Sequence, residues 1–193
     1  MIPKLVLGSQ SPRRAELLKA LALDFRQISS NIDESFPINL KGEEISDFIA
    51  LAKAESLRDQ LASDELLICS DTIVCLKDQV LGKPQDSEEA KAMLQSLSGK
   101  VHTVISSICF SDQVKSVCLH DSTAVYFKEL SNSEIDYYIN TFKPYDKAGA
   151  YGIQEWIGMI GIEKIIGSYF TVMGLPTHLI IPQLKAWRAL PLD

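Results

Sequence analysis

Apolar residues recur along this chain in two spacings, and their alternation lays out the elements. Leu5-Val6-Leu7-Gly8 is a short continuous apolar run, which predicts a buried strand. Ser11 and Pro12 then suit the N-cap and first position of a helix running to about Ala22. Phe25-Arg26-Gln27-Ile28 reads as a short strand, followed by a polar loop through Pro37. From Glu43 to Leu61 the spacing is helical, with Ile45, Phe48, Ile49, Ala52, Leu57 and Leu61 inside. Lys53 in that helix reads as a snorkelling surface lysine. Leu66 to Leu76 is apolar on both sides of Ser70-Asp71-Thr72, as a strand covered on two faces would be. After a turn and a return through Val80-Leu81, Asp86 and Glu89 predict a capping box for a helix to Leu97, with Gly99 just past its end.

Val101 to Phe110 and Val114 to Phe127 read as two strands around a turn. Ser131 and Glu134 open another capped helix through Asn140. A glycine-containing loop spans Lys143 to Gly152, Ile160 to Val172 is strand-like in part, and Thr177 to Leu190 is helical with Pro182 forcing a kink or a boundary. Strands and helices mixed in this order predict an α/β fold: a mixed twisted sheet flanked by helices, in a single domain over residues 1–193 or two lobes of one.

Composition narrows the partners. The formal net charge of −6 leaves no global basic field for nucleic acid or an anionic membrane. No apolar run approaches membrane-spanning length, and the N-terminal apolar run is too short for a signal segment. Cys69, Cys75, Cys109 and Cys118 all lie in apolar runs without C-x-x-C spacing, so they read as small core thiols in a reducing cytoplasm. The three histidines, His102, His120 and His178, are scattered without zinc spacing. Neither a Walker phosphate loop, a Rossmann glycine fingerprint nor a G-x-S-x-G elbow occurs.

What remains is chemistry without a standard motif. Arg13 and Arg14 lie in the first turn of a helix, where the dipole already presents partial positive charge and a cation is unfavourable. With Ser9, Ser11 and open backbone N–H groups they form a set suited to an anion, most naturally a phosphate chain. Asp71 interrupts an apolar strand, and a buried carboxylate needs a partner, a metal or a task. Lys83 stands on a stiff turn between Gly82 and Pro84. Carboxylates (Asp33, Glu34, Asp71) together with cations (Arg13, Arg14, Lys53, Lys83) are what a metal-assisted attack on a phosphoanhydride uses, although spacing alone does not bring them together.

Ser9-Gln10-Ser11-Pro12-Arg13-Arg14-Ala15-Glu16-Leu17-Leu18, Ser70-Asp71-Thr72-Ile73-Val74, Gly82-Lys83-Pro84, Ser98-Gly99-Lys100-Val101-His102-Thr103-Val104 and Lys147-Ala148-Gly149-Ala150-Tyr151-Gly152-Ile153-Gln154 follow one another along nearly the whole chain. In these blocks the sequence resembles the Maf family of nucleoside triphosphate pyrophosphatases. The resemblance implies a fold with a central cleft similar to that of inosine triphosphate pyrophosphatases, a homodimer, and hydrolysis of a nucleoside triphosphate to the monophosphate and pyrophosphate with Mg²⁺ or Mn²⁺. Asp71 matches the family's proton acceptor, and Ser9, Arg13, Arg14, Glu34, Lys53, Lys83 and Gln154 match its other polar cleft residues. Ser70-Asp71-Thr72 looks like the dTTP/UTP-hydrolysing branch, and Arg13, Thr72 and Gln154 match positions linked to base selection. Glu34 and Asp71 are the implied metal ligands; Asp71 is left open between ligand and base. Glu155 departs from the family's usual glycine, so its carboxylate either alters the metal site or faces solvent. A nucleotide-binding regulator of cell division with weak or no catalysis is the alternative that this departure keeps open.

Overall fold

The computed structural model describes residues 2–190. In chain order the elements are β1 (Lys4–Gly8), α1 (Pro12–Ala20), β2 (Phe25–Ile28), α2 (Glu43–Leu57), β3 (Glu65–Leu76), β4 (Gln79–Leu81), α3 (Ser87–Leu97), β5 (Val101–Ser111), β6 (Ser116–Phe127), α4 (Asn132–Phe142), α5 (Trp156–Gly161), β7 (Ile162–Ile166), α6 (Tyr169–Met173) and α7 (Thr177–Ala186). The strands form one seven-stranded sheet in the order β2-β1-β3-β5-β6-β7, with β4 paired to β3. β1 is parallel to both neighbours, Leu5 facing Phe25 on one side and Leu66 on the other. β4 and β7 are antiparallel to β3 and β6. The sheet is therefore mixed, as the order of apolar runs predicts. Among the described residues no helix is long and apolar enough to cross a membrane.

The chain divides into two compact units: residues 2–71, 106–121 and 174–190 make the first, and residues 72–105 and 122–173 the second. In the first, Val6, Leu67, Cys69 and Cys109 on the strands pack with Ala50, Ala54 and Leu57 of α2. Cys69 serves there as a small apolar side chain, and burial pushes its thiol up to about 12. In the second, Leu94 and Leu97 of α3, Ile135, Tyr138 and Ile139 of α4, and Val125 and Phe127 of β6 make the core.

Local chemistry explains where the elements differ from the sequence reading. α1 ends at Ala20, two residues early, because Ala22 turns left-handed (φ +55°) and the Leu23 N–H returns to the Leu18 carbonyl. The Ser11 hydroxyl does not cap α1; the neighbouring Ser9 Oγ accepts the Ser11 N–H instead. α2 stops at Leu57 and tightens into a 3₁₀ turn over Arg58–Gln60 before the buried Leu61. Phe48 is exposed rather than inside. The covered face of α2 is Ile45, Ser46, Ile49, Ala50, Lys53, Ala54 and Leu57. At about 100° per residue this stripe is centred near Lys53, with Phe48 opposite. The box on α3 is half formed: Asp86 accepts the Glu89 N–H, but the Glu89 carboxylate reaches the Gln85 N–H, one residue early. On α4 the Ser131/Glu134 box is complete. The α5 turn before β7 was not anticipated, and Pro182 lies inside α7 without ending it.

Candidate active site

The start of α1 is held from three directions within the first unit. Ser9, almost fully buried, accepts at Oγ from the Ser11 N–H (3.2 Å) and from Arg14 Nη1 (3.3 Å). Its carbonyl accepts from Gln27 Nε2 of β2. Arg14 Nε donates to the Gly174 carbonyl (2.8 Å), which also receives the Ser70 hydroxyl (3.1 Å) from β3. Gly174 has φ +101°, a conformation that a side chain would oppose, so this carbonyl is aimed by a position that favours glycine. Arg14 is half-buried. Burial lowers its pKa, the Asp71 carboxylate raises it, and neighbouring Arg13 lowers it further. A guanidinium in this state gains from a nearby anion.

Lys53 is the junction of the carboxylates. Its Nζ lies 2.6 Å from Asp71 Oδ1 and 2.8 Å from Glu34 Oε1. The Lys53 and Asp71 side chains are 9% and 8% exposed, so this is a buried pair, whereas Glu34 at 41% reaches in from the surface loop. The expected surface lysine is thus a core lysine, turned inward because the covered stripe of α2 runs through it. Such a pair is costly to desolvate and very costly to break on one side.

Ser9, Arg13, Arg14, Glu34, Lys53 and Asp71 all belong to the first unit, and hydrogen bonds, ion pairs or direct electrostatics join them. Thr72, Lys83 and Gln154 belong to the second. Thr72 is half-buried and follows Asp71 directly in β3. Lys83 is exposed on the loop after β4, where the Gly82 carbonyl accepts the Gly149 N–H (3.0 Å) and so ties the Lys83 turn to the 147–154 loop. Gly149 at φ +67° packs its bare Cα against Val74. Gln154 closes that loop.

Glu155 is engaged within the second unit rather than facing solvent. Its Oε2 accepts the Tyr138 hydroxyl, and its Oε1 lies 3.1 Å from Lys147 Nζ. Burial first, and Glu155 second, push the Tyr138 phenol pKa up. His102, buried beside Phe127 and Tyr151, meets the Tyr151 hydroxyl at 2.7 Å, and burial lowers it to about 4, which keeps it neutral.

Two oxygens of Asp71 and Glu34 already converge on one cationic centre, Lys53 Nζ. They are hard donors of the type that Mg²⁺ or Mn²⁺ accepts, and two protein carboxylates suffice when phosphate oxygens and water complete the shell. Among the described residues no group of three histidine, cysteine or acidic side chains could hold a metal without such help. The residues therefore fit a metal that arrives with its substrate. Sequence reasoning missed the Gly174 carbonyl, Ser70, Tyr138 and Lys147. Only Ser70 and Lys147 had a signal, as polar residues inside the quoted blocks.

A family model described as Maf-like protein matches residues 4–187. A dTTP/UTP pyrophosphatase of Parabacteroides distasonis is 50% identical over 183 residues, covering 94% of this chain and 95% of that protein. One of Christiangramia forsetii is 49% identical over 182 residues, covering 94% and 93%. Among solved structures, a HAM1 protein from Coxiella burnetii aligns with a TM-score of 0.46 and 15% identity, over 65% of this chain and 73% of that one.

Proposed function

This chain belongs to the Maf family, and we propose that it is a nucleoside triphosphate pyrophosphatase cleaving dTTP and UTP to the monophosphate and pyrophosphate. The observation that carries the reading is the pairing of buried Asp71 with Lys53 in the unit that also holds Arg14 on the Ser9 hydroxyl and the Gly174 carbonyl. The relatives' names supply the bases.

In the proposed reaction a water attacks the α-phosphorus. The bond between that phosphorus and the oxygen bridging to the β-phosphate breaks, and pyrophosphate leaves with the bond electrons. Lys53 engages Oδ1 of Asp71, which leaves Oδ2 to take the proton of the attacking water. General-base help of this kind is worth about a hundred- to ten-thousand-fold. Arg13 and Arg14, with Lys53 and Lys83, offset charge on the phosphates and on the departing pyrophosphate. Ser9 holds Arg14 in place, and Thr72 and Gln154 contact the nucleotide. Glu34 and Asp71 are the residues that would hold Mg²⁺ or Mn²⁺, whose chemistry when bound is to neutralise the triphosphate. The homodimer is proposed from the family resemblance, and the cytoplasmic setting from cysteines that lack disulfide or zinc spacing.

Glu155, the departure that favoured a non-catalytic regulator, is engaged by Tyr138 and Lys147, so it gives that alternative no support. The test is a panel of nucleoside triphosphates with Mg²⁺ or Mn²⁺, resolving monophosphate, pyrophosphate and orthophosphate. Pyrophosphate release, fastest with dTTP and UTP, is expected. Orthophosphate as the product, or tight binding without turnover across the panel, would overturn the proposal.

A further inference from the structure

Gln154 sits at the end of a loop fastened at both ends by one side chain. Lys147, at its start, is 8% exposed and lies between Asp146 (2.7 Å) and Glu155 (3.1 Å). The other oxygen of Glu155 accepts the Tyr138 hydroxyl of α4, and that hydroxyl in turn accepts the Gly152 N–H (3.1 Å). The carboxylate just after the loop thus grips its first residue directly and its middle through a phenol. Glu155 does this at the N-cap position of α5, where a carboxylate would otherwise bond the free N–H groups, and it makes no such bond.

Gly152 makes room for the arrangement. A Cβ there would stand 2.9 Å from Glu155 Cδ and 3.1 Å from both Glu155 Oε2 and Gln154 Nε2. The amide nitrogen of Gln154 and the clamp carboxylate therefore share one side of Gly152. The Gln154 Oε1 atom is buried and has no partner among the described residues. Gln154 also lines a cavity of about 400 Å³ with Ile153, Met159, Ile162, Ile165 and Tyr169. A buried acceptor with nothing to accept is costly unless a ligand completes it.

We infer that Glu155 is a positioning residue: through its clamp on Tyr138 and Lys147 it fixes Gln154 so that the side-chain carbonyl is presented to the substrate. The inference rests on the reading of Gln154 as a nucleotide contact. An acceptor suits the imide N–H that thymine and uracil share and that cytosine lacks, so a loosened clamp would blur UTP against CTP.

The experiment compares kcat and KM for UTP and CTP in the wild type, Gln154→Ala, Glu155→Ala, Glu155→Gln, Tyr138→Phe and the Gln154→Ala/Glu155→Ala double variant, with amide hydrogen exchange over residues 147–155. Glu155→Ala should raise the UTP KM about tenfold, change kcat by less than about threefold, lower the UTP/CTP ratio about tenfold and speed exchange in the loop. Glu155→Gln, which keeps an acceptor for Tyr138, should restore most of the ratio. Tyr138→Phe should shift it in the same direction by less, and it covers the case in which Glu155→Ala does not fold. In the Gln154→Ala background the Glu155 change should lower the ratio no further. A Glu155→Ala enzyme that melts earlier but keeps the wild-type ratio, while Gln154→Ala loses it, overturns the positioning role alone. A Gln154→Ala enzyme with an unchanged ratio overturns the reading of Gln154 and the inference with it.

Discussion

Each unit of this protein holds a buried lysine between two carboxylates, and the two arrangements nearly match in geometry. Lys53 lies 2.6 Å from Asp71 and 2.8 Å from Glu34; Lys147 lies 2.7 Å from Asp146 and 3.1 Å from Glu155. The lysine side chains are 9% and 8% exposed, so burial does not separate them. Their surroundings do. Near Lys53 stand two guanidinium groups, Arg13 and Arg14, whose charges act on the same cluster. Beside Lys147 a phenol, Tyr138, closes the remaining oxygen of Glu155. The first arrangement is flanked by guanidinium groups of the kind that suit an anion, and the second is closed by a hydroxyl. Two lysines so alike in geometry thus differ in their neighbours: guanidinium groups beside one, a phenol beside the other.

The sharpest way to break this contrast is to neutralise one carboxylate in each. Asp71→Asn should lower kcat/KM for dTTP about a hundred- to ten-thousand-fold, whereas Glu155→Gln should stay within about threefold. Equal losses would erase the distinction. Next come the lysines. Lys53→Met leaves buried Asp71 without its cation and should cost about 3 kcal/mol in urea unfolding, whereas Lys147→Met leaves a half-covered Glu155 and an exposed Asp146 and should cost less. Only the first should abolish turnover, which a pyrophosphate-release assay at a temperature where both variants are folded would show.

The smallest expected effect concerns pH, in the unit that carries the Lys147 arrangement. His102 titrates at about 4 when folded and near 6.5 when unfolded, so between those values the unfolded chain binds the extra proton. Its contribution is fully present above about pH 6.5, falls as the pH drops, and levels off below about 4. Between pH 7 and pH 5 the expected loss is about 2 kcal/mol, absent in His102→Gln. Denaturant titrations at the two pH values measure it; a wild type no more acid-sensitive than the variant would remove His102 from the account.

The fold was legible where period and capping agreed. β3, the β5–β6 hairpin and the Ser131/Glu134 helix start all carry their signal within a few neighbouring residues. It was less legible where the covered face holds polar or small residues. On α2 the apolar Phe48 is exposed and Ala52 only half-buried, whereas Ser46, Ala50, Lys53 and Ala54 share the covered face with Ile45 and Ile49. Apolar count favoured Phe48; packing selected the small residues and gave the lysine a buried carboxylate to meet. The quoted motifs named the charged residues of the site, but not their mutual distances. The Glu155 clamp left no trace, since Tyr138 lies on a different helix and nothing in its sequence surroundings marks its hydroxyl.

The Gly174 carbonyl, which takes a hydrogen bond from Arg14, closes a contact across 160 residues of chain. The anchoring of the first helix is therefore finished by a segment synthesised 160 residues later. While the ribosome is still making the middle of the protein, the Arg14 guanidinium and the Ser70 hydroxyl lack that acceptor, and a contact of such long range is among the slow ones to form. The nascent enzyme consequently has its cations long before it has them aimed. The Arg14 side chain reaches its final aim only once Gly174 is in place.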